Sequence, residues 1–150
     1  MMTNTWLRPL TALAALLVTC GCGDLDNCDD SSDTPILVEG GTTDPDALLF
    51  DSAPWGGPLA PFPAKRKLRF EHNLGVTPSL VKAYLSFAEN GTNGSGGGSI
   101  SEVAGNSGLY DCIDSHVVEL RNDTCERSFY VKVVALGVPS GETDNDDCGE

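Results

Sequence analysis

Positive charge is scarce in this chain. Its 150 residues carry nine Lys and Arg against 22 Asp and Glu, a formal net charge of −13. Phosphate contacts need a basic field, so the balance argues against nucleic acid as a partner. Histidine is nearly absent, at two residues, and no cysteine pair has Cys-x-x-Cys spacing. A zinc site therefore lacks its usual ligands. Long apolar runs are missing too. The clearest one, residues 10–18 (LTALAALLV), is far shorter than the roughly 20 residues that cross a bilayer as a helix. No serine sits in a full nucleophile elbow: Ser95 lies in Asn93-Gly94-Ser95-Gly96 and Ser107 in Asn106-Ser107-Gly108. The glycine-rich stretch has no Lys-Ser/Thr after it and is not a phosphate loop. A triad of Ser107, His116 and Asp111 can be drawn only on paper. The sequence assigns no catalytic chemistry.

What is present is unevenly spread. Residues 24–51 hold nine acidic side chains and no basic one, and residues 142–150 hold five more acidic ones. Residues 65–138 balance eight basic against eight acidic. Residues 22–35 read as a hydrated acidic tether and 139–150 as an acidic tail. Residues 52–64 carry four prolines and two glycines. They cannot form a central strand or a helix interior, and are expected to cross the surface as a loop. Residues 91–99 (GTNGSGGGS) form a second, flexible loop.

The remaining segments alternate with period two. Leu68, Phe70 and His72 share one face of 67–72. Val81, Ala83, Leu85 and Phe87 share a face of 81–87. Phe129, Val131, Val133 and Ala135 share a face of 129–135. Residues 116–121 precede the turn residues Asn122-Asp123, and 36–38, 48–50 and 100–103 are shorter candidates. No helical period follows residue 24. The expected fold is all-β: a small antiparallel β-sandwich of six or seven strands over residues 36–138. A hairpin of 116–121 with 127–135 would put Cys125 at its turn and Cys112 toward the opposite end. At about 3.3 Å per residue the two would be too far apart unless the chain folds back at Asp114-Ser115. Two pairings stay open: Cys112–Cys148 with Cys28–Cys125, or Cys112–Cys125 with Cys28–Cys148.

The N-terminus carries an address. Arg8 supplies a short positive region, residues 10–18 an apolar one, and Thr19-Cys20-Gly21-Cys22-Gly23-Asp24 follows. This resembles the lipobox of bacterial lipoproteins, in which a small residue precedes a cysteine that receives a diacylglycerol. The resemblance implies a signal peptide over 1–21 and a lipid on Cys22, with Cys20 as the alternative. It places the chain in a Gram-negative envelope, at the periplasmic face or outer surface, with the membrane as partner. A lipid on Cys22 leaves Cys28, Cys112, Cys125 and Cys148 for two disulfides in an oxidising compartment.

A second segment, His72-Asn73-Leu74-Gly75-Val76-Thr77-Pro78-Ser79-Leu80-Val81, joins two expected strands. It resembles the His-x-Leu-Gly-x-x-Pro connection of β-sandwich modules in bacterial envelope and phage tail or fibre proteins. Those modules bind or assemble and are not enzymes. Gly75 suits a positive φ, Pro78 restarts an extended strand, and His72 takes a structural part.

Three surface features remain. Lys65, Arg66, Lys67 and Arg69 form a basic patch suited to anionic headgroups or acidic polysaccharide. Trp55, in the Pro/Gly-rich loop, could stack on a sugar or a partner protein of the envelope. Asp24, Asp26, Asp29, Asp30, Asp33, Asp144, Asp146 and Asp147 offer hard oxygens to calcium, if a disulfide draws the two ends together. No other cofactor is expected. The expected function is a lipid-anchored envelope protein with a non-catalytic β-sandwich binding or structural module. The alternatives are a secreted or periplasmic hydrolase with an unrecognised site, and a calcium-stabilised surface adhesion module.

Overall fold

The computed structural model describes residues 32–92, 98–139 and 148. The lipidation candidates Cys22 and Cys20, Cys28, and the calcium candidates apart from Asp33 lie outside the described residues.

The fold is an all-β sandwich. Ten strands follow in order: β1 (Ser32–Val38), β2 (Thr42–Asp44), β3 (Leu49–Asp51), β4 (Ala60–Phe62), β5 (Arg66–Glu71), β6 (Leu80–Ser86), β7 (Ile100–Glu102), β8 (Leu109–Ile113), β9 (Val117–Arg121) and β10 (Phe129–Leu136). The first sheet runs β1-β5-β9-β8 and the second β2-β3-β10-β6-β7, with β4 also paired to β10. All pairs are antiparallel except β1 with β5, which are parallel. Period-two alternation places Leu68 and Phe70 of β5, Val118 and Leu120 of β9, Ala83 and Leu85 of β6, and Val131, Val133 and Ala135 of β10 in one core. Phe50, Phe62 and Phe70 are its largest fully buried apolar side chains.

Three strands exceed the expected six or seven: β2, β4 and β8. Strand β4 lies inside the proline-rich stretch. It is a three-residue edge strand, so Pro61 opposite Tyr130 removes no interior ladder bond, and Phe62 still enters the core. The first strand starts at Ser32, ahead of the apolar run 36–38.

The expected hairpin of 116–121 with 127–135 does not form. Strand β9 pairs with β5 and β8, whereas β10 lies in the other sheet against β6, β3 and β4. The chain folds back instead at Asp114-Ser115, making β8–β9 the hairpin. The Asn122-Asp123 turn carries the chain across to the second sheet. Asn122, fully buried, holds that turn: its Nδ2 donates to the carbonyls of Phe62 at 2.9 Å and Glu126 at 3.0 Å. Its Oδ1 accepts from the Thr124 N–H at 2.9 Å and hydroxyl at 2.7 Å.

Cys112, two residues before Asp114, is bonded to Cys148, with Cα atoms 5.7 Å apart. This excludes the pairing of Cys112 with Cys125. Cys125 is in a disulfide as well. Disulfides are compatible with an oxidising, exported setting.

Candidate functional site

The outer face of the first sheet carries a network of opposite charges. Arg69 of β5 stands directly opposite Glu119 of β9, and an opposite-charge pair at that register stabilises the ladder. Arg69 reaches Glu119 Oε1 at 2.7 Å through NH2 and 2.9 Å through Nε. Lys67 Nζ bridges Glu119 at 3.1 Å and Asp111 at 3.2 Å. Arg121 closes on Asp111 Oδ2 at 2.5 Å and 2.8 Å. Burial acts to lower the Lys67 ammonium, but Glu119 and Asp111 outweigh it and hold the group above its ordinary value. The basic patch is thus no free cationic field. Lys67 and Arg69 are neutralised across the sheet, and Lys65 is paired with Asp123 at 3.2 Å. Arg66 is half-buried, its Nε lacking a hydrogen-bond partner among the described residues. A shallow depression of about 460 Å³ lies on this face between Asp33, Pro35 and Leu37 of β1, Lys67, Arg69 and Glu71 of β5, Glu119 and Cys148.

Residue 148 is clasped over this face by three contacts. Its sulfur is bonded to Cys112, its N–H donates to Asp114 Oδ2 at 2.9 Å, and its carbonyl accepts from Arg69 NH2 at 3.3 Å. Asp114 is the centre of the clasp. Its other oxygen accepts the N–H groups of His116 at 2.6 Å and Val117 at 2.7 Å, which shapes the β8–β9 turn. Burial acts to raise the Asp114 carboxyl. The donors from Cys148, His116 and Val117 outweigh it and hold the group below its ordinary 3.8. The ligand atoms of Cys112, Asp114 and Cys148 also lie within 4.8 Å of one another. The two sulfurs are bonded to each other and Asp114 accepts three N–H groups, so the trio as bonded here is a structural clasp.

The second sheet buries a cation on its outer face. Lys132, in the middle of β10, is fully buried, and its ammonium bonds to Asp51 and to the Ala53 carbonyl. The loop after β3 covers it, and the Trp55 ring lies 4.5 Å from Nζ. Trp55 also meets Tyr84 edge-on at 5.1 Å, yet remains 57% exposed. One face of Trp55 is therefore a lid on Lys132, and the rest stays open.

The histidines do different work. His72 is fully buried, with Nε2 donating to the Asp114 carbonyl at 3.1 Å and Nδ1 accepting the Leu74 N–H at 3.2 Å. Its main chain accepts from Thr43 Oγ1 at 2.7 Å and donates to the His116 carbonyl at 2.8 Å. It thus ties β2 and the end of β5 to the β8–β9 turn. Gly75, at φ 71°, follows in the same crossover, and its N–H donates to the Ser115 carbonyl at 3.0 Å. His116 is exposed at the hairpin tip, where Nδ1 lies 2.8 Å from its neighbour Ser115 Oγ. That contact is local. The adjacent Asp114 carboxylate turns away to main-chain N–H groups and does not orient the imidazole, as a triad requires. Asp111 is engaged elsewhere, with Arg121 and Lys67.

A pH dependence follows. Burial holds the His72 imidazole below its ordinary 6.5, against the opposing pull of the Asp114 carbonyl. The unfolded chain then binds a proton here near pH 6.5 and the folded chain only at lower pH. Stability falls as pH drops below about 6.5 and levels off once the folded ring also titrates. The Asp114 share persists down to about pH 3.8 and is lost as pH falls through its folded value. The melting temperature of wild type is expected to drop between about pH 7 and pH 5, and that slope to flatten in His72→Gln. Equal slopes would place the acid-sensitive group elsewhere.

Sequence reasoning missed Glu119, Asp114 and Lys132 as organising residues. The turn dipeptide Asp114-Ser115 was a usable signal for one of them. A lysine and a glutamate at outward strand positions look solvated, and nothing local shows that a loop or a bonded cysteine covers them. Compared with known proteins, the chain matches no family model, no curated protein and no solved structure.

Proposed function

We propose that this chain is a lipid-anchored protein of a Gram-negative cell envelope, whose β-sandwich is a non-catalytic binding or structural module held away from the membrane by an acidic tether. The observation that carries it is the order of parts along the chain. A nine-residue apolar run ends in Gly21-Cys22, a lysine- and arginine-free acidic stretch follows, and a disulfide-bonded domain comes next. Two or more acyl chains on Cys22 give stable anchoring, since each buried methylene contributes about 0.8 kcal/mol. The histidine environments support the non-catalytic part: one ring is locked between main-chain groups, and the other sits on an exposed turn beside Asp114, whose carboxylate is turned to main-chain N–H groups.

Mass spectrometry of the protein extracted from membranes of a Gram-negative host tests this. The expected result is a chain beginning at Cys22 with the mass of a diacylglycerol and partition into the detergent phase. Cys22→Ala is expected to move the protein to the soluble fraction, and Cys20→Ala to leave it in place. An unmodified N-terminus would overturn the reading, and lipid on Cys20 would shift the anchor by two residues.

A further inference from the structure

One end of the sandwich is open. Where β6 ends and β10 begins, the inward alternation runs past the closed core to Phe87 and Phe129. Their rings meet at a tilt of 53° with centroids 5.0 Å apart, and Phe87 is 65% exposed. Beside them lies a cavity of about 210 Å³, lined by Leu85, Phe87 and Phe129 together with Ser86, Ser99, Ser101 and Ser107.

Its lining is unlike the rest of the molecule. Charged residues make up 21% of the chain, yet none is among the described residues that line this cavity. An ion entering it would find no counter-charge, so the ligand is neutral. Four of the seven described residues that line it are serine. A hydroxyl both donates and accepts, which suits a ligand that is itself built of hydroxyls. Ser86 and Ser99 are joined, Oγ to Oγ, at 3.0 Å, and Ser86 also accepts the Ala88 N–H at 2.9 Å. That pair is a fixed polar wall. The side-chain hydroxyls of Ser101 and Ser107 take no partner among the described residues and remain free to bond a ligand. The phenylalanines supply the complementary surface, a face for an apolar C–H ring edge. The volume is below the roughly 300–1,000 Å³ typical of drug-sized sites, which leaves room for one ring and not a chain.

The geometry points to a binding site for a single neutral sugar ring, with its C–H face on Phe87 and its hydroxyls toward Ser101 and Ser107. An exposed terminal residue of an envelope glycan is the natural source. The site stands apart from the Trp55 surface and is independent of the lipid anchor.

Saturation-transfer NMR on the purified full-length chain tests it, with glucose, galactose, mannose and N-acetylglucosamine as probes and glucuronate as the charged control. At least one neutral sugar is expected to bind at about 1 mM, the affinity so few contacts allow, and glucuronate to bind more weakly. Phe87→Ala is expected to weaken binding about tenfold, through loss of one aromatic face. Ser101→Val should weaken it by removing a free hydroxyl, and Trp55→Ala should leave it unchanged. Phe87 and Ser101 are exposed, so both variants should keep the wild-type melting temperature, which is measured alongside. Three outcomes overturn the site: no saturable transfer from any neutral sugar, binding lost in Trp55→Ala but kept in Phe87→Ala, or glucuronate binding best.

Discussion

Replacing Cys112 and Cys148 together by serine is expected to lower the unfolding free energy by about 4 kcal/mol. The bond spans a sequence separation of 36 residues. Releasing a loop of that size restores about 3.8 kcal/mol of chain entropy to the unfolded state in the loop-closure account. The native state suffers as well. Without the bond, nothing covalent keeps the Cys148 N–H on Asp114 or its carbonyl on Arg69. Denaturant titration reads both effects. The midpoint should fall, and the slope should rise because the uncrosslinked unfolded chain exposes more surface. An unchanged midpoint would show that the bond closes no loop that matters. Non-reducing peptide mapping of wild type is the companion measurement. It should recover Cys112 with Cys148. It should also recover Cys125 with Cys28, the cysteine left over under the proposed lipidation of Cys22. A peptide joining Cys112 to Cys125 would contradict the fold.

Asp51→Ala is expected to cost about 4 kcal/mol at neutral pH, near the middle of the range for breaking a buried ion pair from one side. It strands the fully buried Lys132 ammonium with the Ala53 carbonyl and the Trp55 face as its remaining partners. Lys132→Met is expected to cost less, about 2 kcal/mol, because Asp51 keeps a third of its side chain in water and only the Ala53 carbonyl loses a buried donor. The two losses should not add. In the double variant no charge is left unpaired, so it should be more stable than Asp51→Ala alone. Additive losses in a double-mutant cycle would show that the ion pair contributes nothing as a pair. Trp55 fluorescence gives a local readout, since the ammonium lies 4.5 Å from its ring.

These two sites also show how far the sequence can be read. Alternation in 67–72, 81–87 and 129–135 located β5, β6 and β10 and named their inward faces correctly. Side-chain period in a strand is set by local backbone geometry and needs no partner. The three short strands β2, β4 and β8 were not legible. Three residues carry too little period, Pro61 reads as a loop, and β8 gains its order from pairing with β9. The wrong hairpin has the same origin. Asn122-Asp123 is a real turn, but whether a turn returns a strand beside itself or sends it to the other sheet depends on what else pairs with it. Strand β9 already lies between β5 and β8.

By itself the sequence determined the all-β class, the inward apolar faces, and the acidic ends around a charge-balanced middle. Each of these follows from composition or from a repeat that a short segment carries alone. The tertiary structure decided which outward charges are buried and which cysteine meets which. Lys67 and Arg69 look like a surface patch until β9 places Glu119 against them. Lys132 looks solvated until the Trp55 loop folds over it, and Cys148 looks like part of a tail until Asp114 and Cys112 hold it. These are contacts between residues some 30 to 80 positions apart. Only the long-range pairing of strands within each sheet, and the segments folded over its outer face, bring them within reach.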